Sequence, residues 1–171
     1  TEIENSKSGK PSGIDLKLNN VSNYQIIEKL YQASQAGVKI RMIVRGICCL
    51  RPARKGLSQN IEVISIIGDY LEHSRLYYFH NSGDPVIYSG SADVMIRSFK
   101  RRIESLFKVN EDQIKKQAIT TLNYNLRDNC NSYILQGDGS YIKKESDDNH
   151  FDIFKEFYNM NSNRVEASII L

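Results

Sequence analysis

Val38-Lys39-Ile40-Arg41-Met42-Ile43-Val44 is a β-branched, mostly apolar run that completes a strand, helix, strand pattern. Before it, residues 14–19 alternate apolar and polar side chains, as a half-buried strand does. From Asn23 the apolar residues recur with helical spacing, with Ser22 or Asn23 expected to cap the start of a helix and Gly37 its end. Two strands joined by one helix pair in parallel. The sequence therefore predicts an α/β fold with a mixed, largely parallel sheet flanked by helices.

The rest of the chain predicts further strands and helices. Residues 61–67 form an apolar run that suits an internal strand. Asn110 opens a capping pattern before a long amphipathic stripe, which predicts a helix, and Gly137-Asp138-Gly139 predicts the turn of a hairpin. Further elements are expected as an apolar strand headed by His73 and Arg75, as strands over residues 86–89 and 101–107, and as a last helix preceded by the acidic stretch 145–148.

The composition is that of one folded domain. The chain has 171 residues, of which 40% are hydrophobic and 25% charged, and this is enough for one buried core. The net charge of +3 is too small to indicate nucleic acid as a partner through the bulk field. No run approaches the roughly 20 apolar residues of a membrane span. The three cysteines have neither metal-site nor disulfide spacing, so free thiols and no metal ligands are expected.

The domain boundaries follow from changes in composition. Residues 1–13 are rich in Ser, Lys and Gly and are expected to be a linker from an upstream domain. Residues 14–160 form the predicted domain, and residues 161–171 are expected to be a tail. The first residue is Thr1 rather than Met, so we expect either a fragment of a longer protein or a processed protein.

Basic side chains follow the second predicted strand. Arg45 comes directly after Val44, and Arg51 lies further along the same loop, next to Pro52. Ligands of open α/β sheets bind beyond the carboxyl ends of the strands. The planar guanidinium group suits phosphate because it can donate two parallel hydrogen bonds. Both arginines are therefore candidate phosphate ligands.

Residues 71–93 carry the second set of candidates. His73 and Arg75, two positions apart at the head of an apolar strand, are expected to point to one face. Ser91 stands in a Gly-Ser turn that can offer backbone N–H groups and a hydroxyl to an anion. Lys17 and Asn19, on one face of the first strand, could reach the same ligand. Together these residues predict a phosphate-handling site.

Four segments in fixed order resemble the C-terminal catalytic region of bacterial polyphosphate kinases. They are residues 43–52 (IVRGICCLRP), 56–61 (GLSQNI), 71–75 (LEHSR) and 88–93 (YSGSAD). The resemblance implies a phospholipase-D-like half, which would make residues 14–160 the C-terminal domain of such a kinase. The family transfers the terminal phosphate of ATP to a histidine and then, reversibly, to inorganic polyphosphate. The resemblance places that histidine in a missing upstream half.

By the same resemblance, Arg45 binds the nucleotide or phosphate chain and His73 is the second catalytic-site histidine. Arg51, Arg75, Ser91, Lys17 and Asn19 are lesser candidates for the same wall. The chain departs from the family pattern at Val94, where the family usually has Trp. That difference concerns the cleft wall.

The resemblance also implies ligands and partners. Mg²⁺ is expected to come with ATP, with its ligands outside this chain. ATP or ADP, polyphosphate and the upstream domains are the expected partners, in a homo-oligomer found in the cytoplasm or at the inner membrane. The isolated chain is expected to be inactive.

Two other functions stay open from the residues alone. One is a phosphodiesterase or nuclease of the phospholipase D superfamily, although Arg75 stands where that motif has Lys and His80 where it has Asp. The other is a non-catalytic polyanion-binding module.

Overall fold

The computed structural model describes residues 1–68, 70–145 and 149–159. Residues 146–148 of the expected acidic cap and the expected tail at 161–171 lie outside the described residues. Within the described part, no helix is long and apolar enough to cross a bilayer.

The first four elements alternate between helix and strand, and three strands then follow one another. The helices are α1 (Glu2–Lys7), α2 (Tyr24–Gln35), α3 (Ile96–Lys100), α4 (Asp112–Arg127) and α5 (Ile153–Asn159). The strands are β1 (Gly13–Leu18), β2 (Lys39–Val44), β3 (Ile61–Ile66), β4 (Leu76–Phe79), β5 (Val86–Gly90), β6 (Leu106–Val109), β7 (Ser132–Leu135) and β8 (Tyr141–Lys143). A short 3₁₀ turn, Asn81–Gly83, connects β4 to β5.

The eight strands that the structure describes form one mixed sheet in the order β6-β5-β4-β1-β2-β3-β7-β8. The β1–β2 and β2–β3 pairs are parallel, which confirms the strand, helix, strand unit. The other neighbouring pairs are antiparallel. The expectation of a largely parallel sheet is therefore wrong, because only the central strands β1, β2 and β3 are parallel. Antiparallel strands extend the sheet on both sides of them.

The hydrophobic core lies on both faces of the sheet. On one face, α2 packs its buried Ile27 and Leu30 against strand residues such as Met42. On the other face, Ala118 and Leu122 of α4 belong to a second cluster with side chains of β2 to β5. Side chains alternate between the faces along each strand, so a central strand such as β2 contributes to both clusters.

The start of α2 is fixed as the sequence predicted. Asn23 accepts a hydrogen bond from the backbone N–H of Ile26, and Gly37 after the helix has φ +93°. A positive φ is inexpensive for glycine, which explains why the chain turns into β2 at this residue.

Three segments differ from their predicted structure. The expected linker at 1–13 contains helix α1, whose Glu2 is buried and accepts hydrogen bonds from Gly13 N and Asn81 N. The expected strand at 101–107 begins only at Leu106, and its first residues instead connect that strand to helix α3, which ends at Lys100. The strand after His73 begins at Leu76, so His73 and Arg75 precede it.

The strand directions bring several loops to one edge of the sheet. The carboxyl ends of β1 and β2 lie side by side, with Leu18 paired to Val44. Strand β4 is antiparallel to β1, with Leu76 opposite Lys17, so the residues just before β4 lie at this same edge. Strand β5 returns antiparallel to β4, which brings the residues after Gly90 there as well. This edge is called the carboxyl edge below.

Candidate functional site

The loops at the carboxyl edge are bonded to one another. Val21 forms isolated bridges with Cys48, after β2, and with Val94, after β5. Its backbone N–H donates to Ile47 O at 2.7 Å, and its carbonyl accepts from Cys49 N at 2.8 Å. The loop after β1 therefore holds the loops that follow β2 and β5.

A polar cleft of about 210 Å³ opens between these loops. It combines arginines with His73, carboxylates and amides. Its lining residues are Asn19, Asn20, Arg45, His73, Arg75, Ser91, Asp93, Met95, Arg97, Ser98, Arg102 and Glu104. Five of the predicted site residues, Asn19, Arg45, His73, Arg75 and Ser91, are thus brought together.

Arg45 and Asn19 form one wall of the cleft. Arg45 Nε donates to Asn19 Oδ1 at 3.0 Å, which orients a half-buried guanidinium group. Asn19 Nδ2 is buried and has no hydrogen-bond partner in the described part of the chain. A buried amide N–H without a partner is unfavourable, so this atom is suited to a ligand oxygen or a water molecule.

Arg75 and Asp93 form an adjoining part of the cleft wall. Arg75 Nε lies 3.0 Å from Asp93 Oδ1, and Nη2 lies 3.3 Å from Oδ2. Asp93 also accepts from Asn19 N at 2.9 Å and from Asn20 Nδ2 at 3.1 Å. Burial alone would raise the pKa of Asp93, but these hydrogen bonds outweigh burial and hold it below its ordinary value.

His73 is exposed and lies against Arg75. The guanidinium nitrogens Nη1 and Nη2 are 3.5 Å from His73 Nδ1 and 3.3 Å from Nε2. The two ring nitrogens point in different directions in the ring plane, so both distances together fit a guanidinium group lying over the ring. This arrangement leaves the ring edge available to a ligand.

Lys17 lies beneath the cleft rather than in its wall. It is 3% exposed, its Nζ donates to Ser74 Oγ at 2.9 Å, and it pairs with Glu72 at 3.3 Å. Burial lowers the pKa of Lys17, and the Glu72 carboxylate opposes that shift only in part. The ammonium group of Lys17 therefore contacts the residues on either side of His73.

Arg51 lies away from the cleft, near the β7–β8 hairpin. Its backbone N–H donates to Tyr31 Oη at 2.8 Å, and its guanidinium group is so close to Gly139 that a Cβ there would meet it at 2.9 Å. The loop after β2 passes back along the sheet, which carries Arg51 away from Arg45. A position in the chain shortly after a strand is therefore not sufficient to place a residue at the carboxyl edge.

The sequence interpretation missed several cleft residues. Asp93 lies at the end of the segment 88–93, but the sequence does not reveal its ion pair, because its partner Arg75 is 18 residues away. Arg97 and Arg102, from the basic segment that follows Asp93, line the cleft at its exposed rim. Glu104, which accepts a short hydrogen bond from Ser91 Oγ, gave no sequence signal.

Comparison with solved structures identifies the class of fold. The chain is similar to NucT from Helicobacter pylori (TM-score 0.54, 14% identity, 72% of this chain and 84% of that chain). It is also similar to Nuc from Salmonella typhimurium, a phospholipase D family member (TM-score 0.53, 10% identity, 82% of this chain and 88% of that chain). At these identities the likeness shows a phospholipase-D-like fold and nothing about activity.

Closer relatives identify the family. Residues 1–152 match the family described as polyphosphate kinase C-terminal domain 2. The chain is 51% identical over 142 residues to the polyphosphate kinase of Lactiplantibacillus plantarum, covering 83% of this chain and 20% of that protein. The crystal structure of the Porphyromonas gingivalis polyphosphate kinase has a TM-score of 0.88 at 39% identity, covering 92% of this chain and 24% of that one. This chain belongs to the polyphosphate kinase family, which confirms the resemblance.

The chain spans about a fifth of the length of the curated relatives that it matches. It corresponds to a portion of those proteins, consistent with a C-terminal domain.

Proposed function

We propose that this chain is the portion of an ATP:polyphosphate phosphotransferase that binds the nucleotide phosphates or the phosphate chain. The terminal phosphate of ATP would pass reversibly to inorganic polyphosphate through a phosphohistidine in an upstream domain. The convergence of Arg45, His73 and Arg75 on one cleft, beside the unpartnered Asn19 amide, supports this function most directly.

The proposed roles follow from the chemistry of each group. Phosphoryl transfer depends mostly on positioning and on stabilising charge at the phosphoryl oxygens. Arg45 keeps terminal guanidinium nitrogens available for this, since the contact to Asn19 uses Nε. His73 can donate a hydrogen bond to a phosphate oxygen, and an imidazole can take or give a proton near neutral pH. The rim residues Arg97 and Arg102 would attract the anion.

Magnesium is expected to arrive with the nucleotide. The described residues contain no group of three or more His, Cys, Asp or Glu side chains that could hold a metal ion. The two carboxylates that line the cleft are already bonded, Asp93 to Arg75, Asn19 and Asn20, and Glu104 to Ser91. These residues do not fit a metal site. Partnership with upstream domains and assembly into a homo-oligomer remain proposals.

The test is a calorimetric titration of tripolyphosphate and of Mg-ATP into the chain at two salt concentrations. Arg45→Ala and His73→Ala should each weaken binding by roughly 1.5 to 3 kcal/mol, the scale of a hydrogen bond to a charged group. Arg51→Ala is the matched control, because that arginine lies outside the cleft, and it should bind as the unaltered chain does. Equal loss in Arg51→Ala would contradict the proposed location of the site.

Turnover separates the proposed function from its alternatives. The chain alone should transfer no phosphate from ATP to polyphosphate, and adding the upstream domains should start transfer. A polyanion-binding module would stay inactive after that addition.

The phospholipase-D-like fold favours a hydrolase as the second candidate. Of the three histidines in the described ranges, His73 lines the cleft, His80 lies at the far end of β4 and bonds Gly83, and His150 lines a different pocket. We expect no hydrolysis of bis(p-nitrophenyl) phosphate, because such a hydrolase brings two histidines together.

A further inference from the structure

The residues that carry His73 form no regular structure between β3 and β4. In the described part of the chain, residues 70–75 have no strand ladder and no helix. An exposed side chain on such a segment would ordinarily sample many positions, and this entropy opposes binding. The position of His73 therefore has to come from other contacts.

Two ion pairs provide those contacts, one on each side of His73. Before it, Glu72 pairs with Lys17 of β1, which also donates to Ser74. After it, Arg75 pairs with Asp93, which follows β5. The partners Lys17 and Asp93 are both buried, so solvent and salt screen these pairs less than they screen surface pairs.

Asp93 is the better connected of the two partners. Both of its oxygens accept from Arg75, and each accepts one further hydrogen bond, from Asn19 N or from Asn20 Nδ2. A carboxylate held on both oxygens can fix the plane of the guanidinium group that it binds. That plane is the one that lies against the His73 ring.

We propose that Asp93 is a positioning residue for His73 and acts through Arg75. The order of contacts is Asp93 to Arg75 to the imidazole, and Lys17 steadies the segment from the opposite side. Asp93 itself contacts no ligand in this arrangement. The importance of this positioning for ligand binding rests on the proposed function. The contact between Arg75 and His73 itself can be tested without any ligand.

The variant Asp93→Asn separates positioning from simple electrostatics. It keeps the size of the side chain and removes one negative charge from a cleft rich in arginine. By Coulomb attraction alone the variant would bind an anion more tightly. If Asp93 positions Arg75 and His73, the variant should instead bind tripolyphosphate about tenfold more weakly, the scale of one lost charged hydrogen bond.

The experiment combines two measurements on the 171-residue chain. Nuclear Overhauser effects between the His73 ring protons and the Arg75 side chain report the contact in the free protein. Calorimetry with tripolyphosphate reports binding. The matched control is Asp15→Asn, because Asp15 is also buried and also pairs through both oxygens with an arginine, Arg41, at 2.7 and 2.6 Å. Both variants should lose stability, but only Asp93→Asn should lose the His73 contact and the affinity.

The outcomes are distinct. Loss of the His73 contact with weaker binding supports the inference, whereas an unchanged contact or tighter binding overturns it. If the unaltered chain binds no tripolyphosphate but Asp93→Asn still loses the contact, the proposed function fails and the positioning stands. If Asp93→Asn does not fold, the second variant is Arg75→Lys, which keeps the charge but loses the planar fork. This variant must lose affinity for tripolyphosphate to the same extent, and a retained affinity overturns the inference.

Discussion

The Nε atom of Arg45 donates to Asn19 Oδ1 across 3.0 Å, and this bond joins the ends of the parallel strands β1 and β2. The amide therefore uses its oxygen to orient a cation and leaves its nitrogen for another acceptor. The same side chain can in this way hold Arg45 and contact an anion.

The substitution Asn19→Asp tests both uses of this amide. It keeps the shape, replaces the N–H donor with oxygen and adds a charge that pairs with Arg45 and repels phosphate. We expect tripolyphosphate affinity to fall by at least about tenfold, measured by calorimetry. Asn60→Asp is the control, because Asn60 bonds Ser34 far from the cleft. A similar loss in both variants would argue against a specific contact from Asn19.

Asp128 should be a major source of stability outside the site. It is fully buried and accepts from Asn131 N, Ser132 Oγ and Ile153 N at 2.8, 2.8 and 3.0 Å. Asp128→Ala leaves these donors without an acceptor and should lower the free energy of unfolding by about 3 kcal/mol. Urea unfolding measures this, with the exposed Asp84→Ala as control. An equal effect of the two substitutions would contradict the importance of this network.

Gly90 should tolerate no side chain. A Cβ there would lie 2.0 Å from Ser105 O and 3.0 Å from Leu106 Cα, so strands β5 and β6 would have to separate. Gly90→Ala should cost about 3 kcal/mol of stability by overpacking. Gly13→Ala is the matched strand glycine, whose Cβ would meet only ordinary contacts at 3.7 Å and beyond. Thermal unfolding should show a large loss for the first and a small change for the second.

Lys17 should make stability depend on pH in the alkaline range. Its pKa in the folded state is lowered from 10.5, so between the two pKa values the unfolded chain binds more protons. Stability from this group therefore rises with pH through the folded pKa and levels off above the unfolded value. Lys17→Met should remove that rise. Urea unfolding of both proteins between pH 7 and about 10.5, compared as a difference, measures it. A pH-independent difference would contradict the burial argument.

The central part of the fold could be predicted because its signals are local. Helical spacing in α2 and its Asn23 and Gly37 ends lie within one continuous segment, and their structure agrees with the prediction. The alternation over residues 14–19 correctly predicted a strand, but the expected half-buried strand is wrong, because Asp15, Lys17 and Asn19 on its polar face are buried as well. The direction of β4 to β8 is not a local property. It depends on which strand each one pairs with, and short strands such as Tyr141–Lys143 carry little pattern that could reveal it.

The site was predicted to the extent that its residues follow strand ends. Arg45 and Asn19 come directly after β2 and β1, and both line the cleft. Arg51 was misplaced because the loop after β2 returns along the sheet. Asp93 was overlooked because its partner Arg75 lies on another strand connection, and only the antiparallel pairing of β4 with β5 brings the two together.

Strand β1 pairs in parallel with β2 on one side and antiparallel with β4 on the other. Arg45 follows β2, whereas His73 and Arg75 precede β4. A phosphate chain bound by these three residues would connect the segments on the two sides of β1. A ligand in the cleft would then stabilise the domain against separation of the sheet at β1. The rigidity of the whole fold would therefore depend on whether the cleft is occupied.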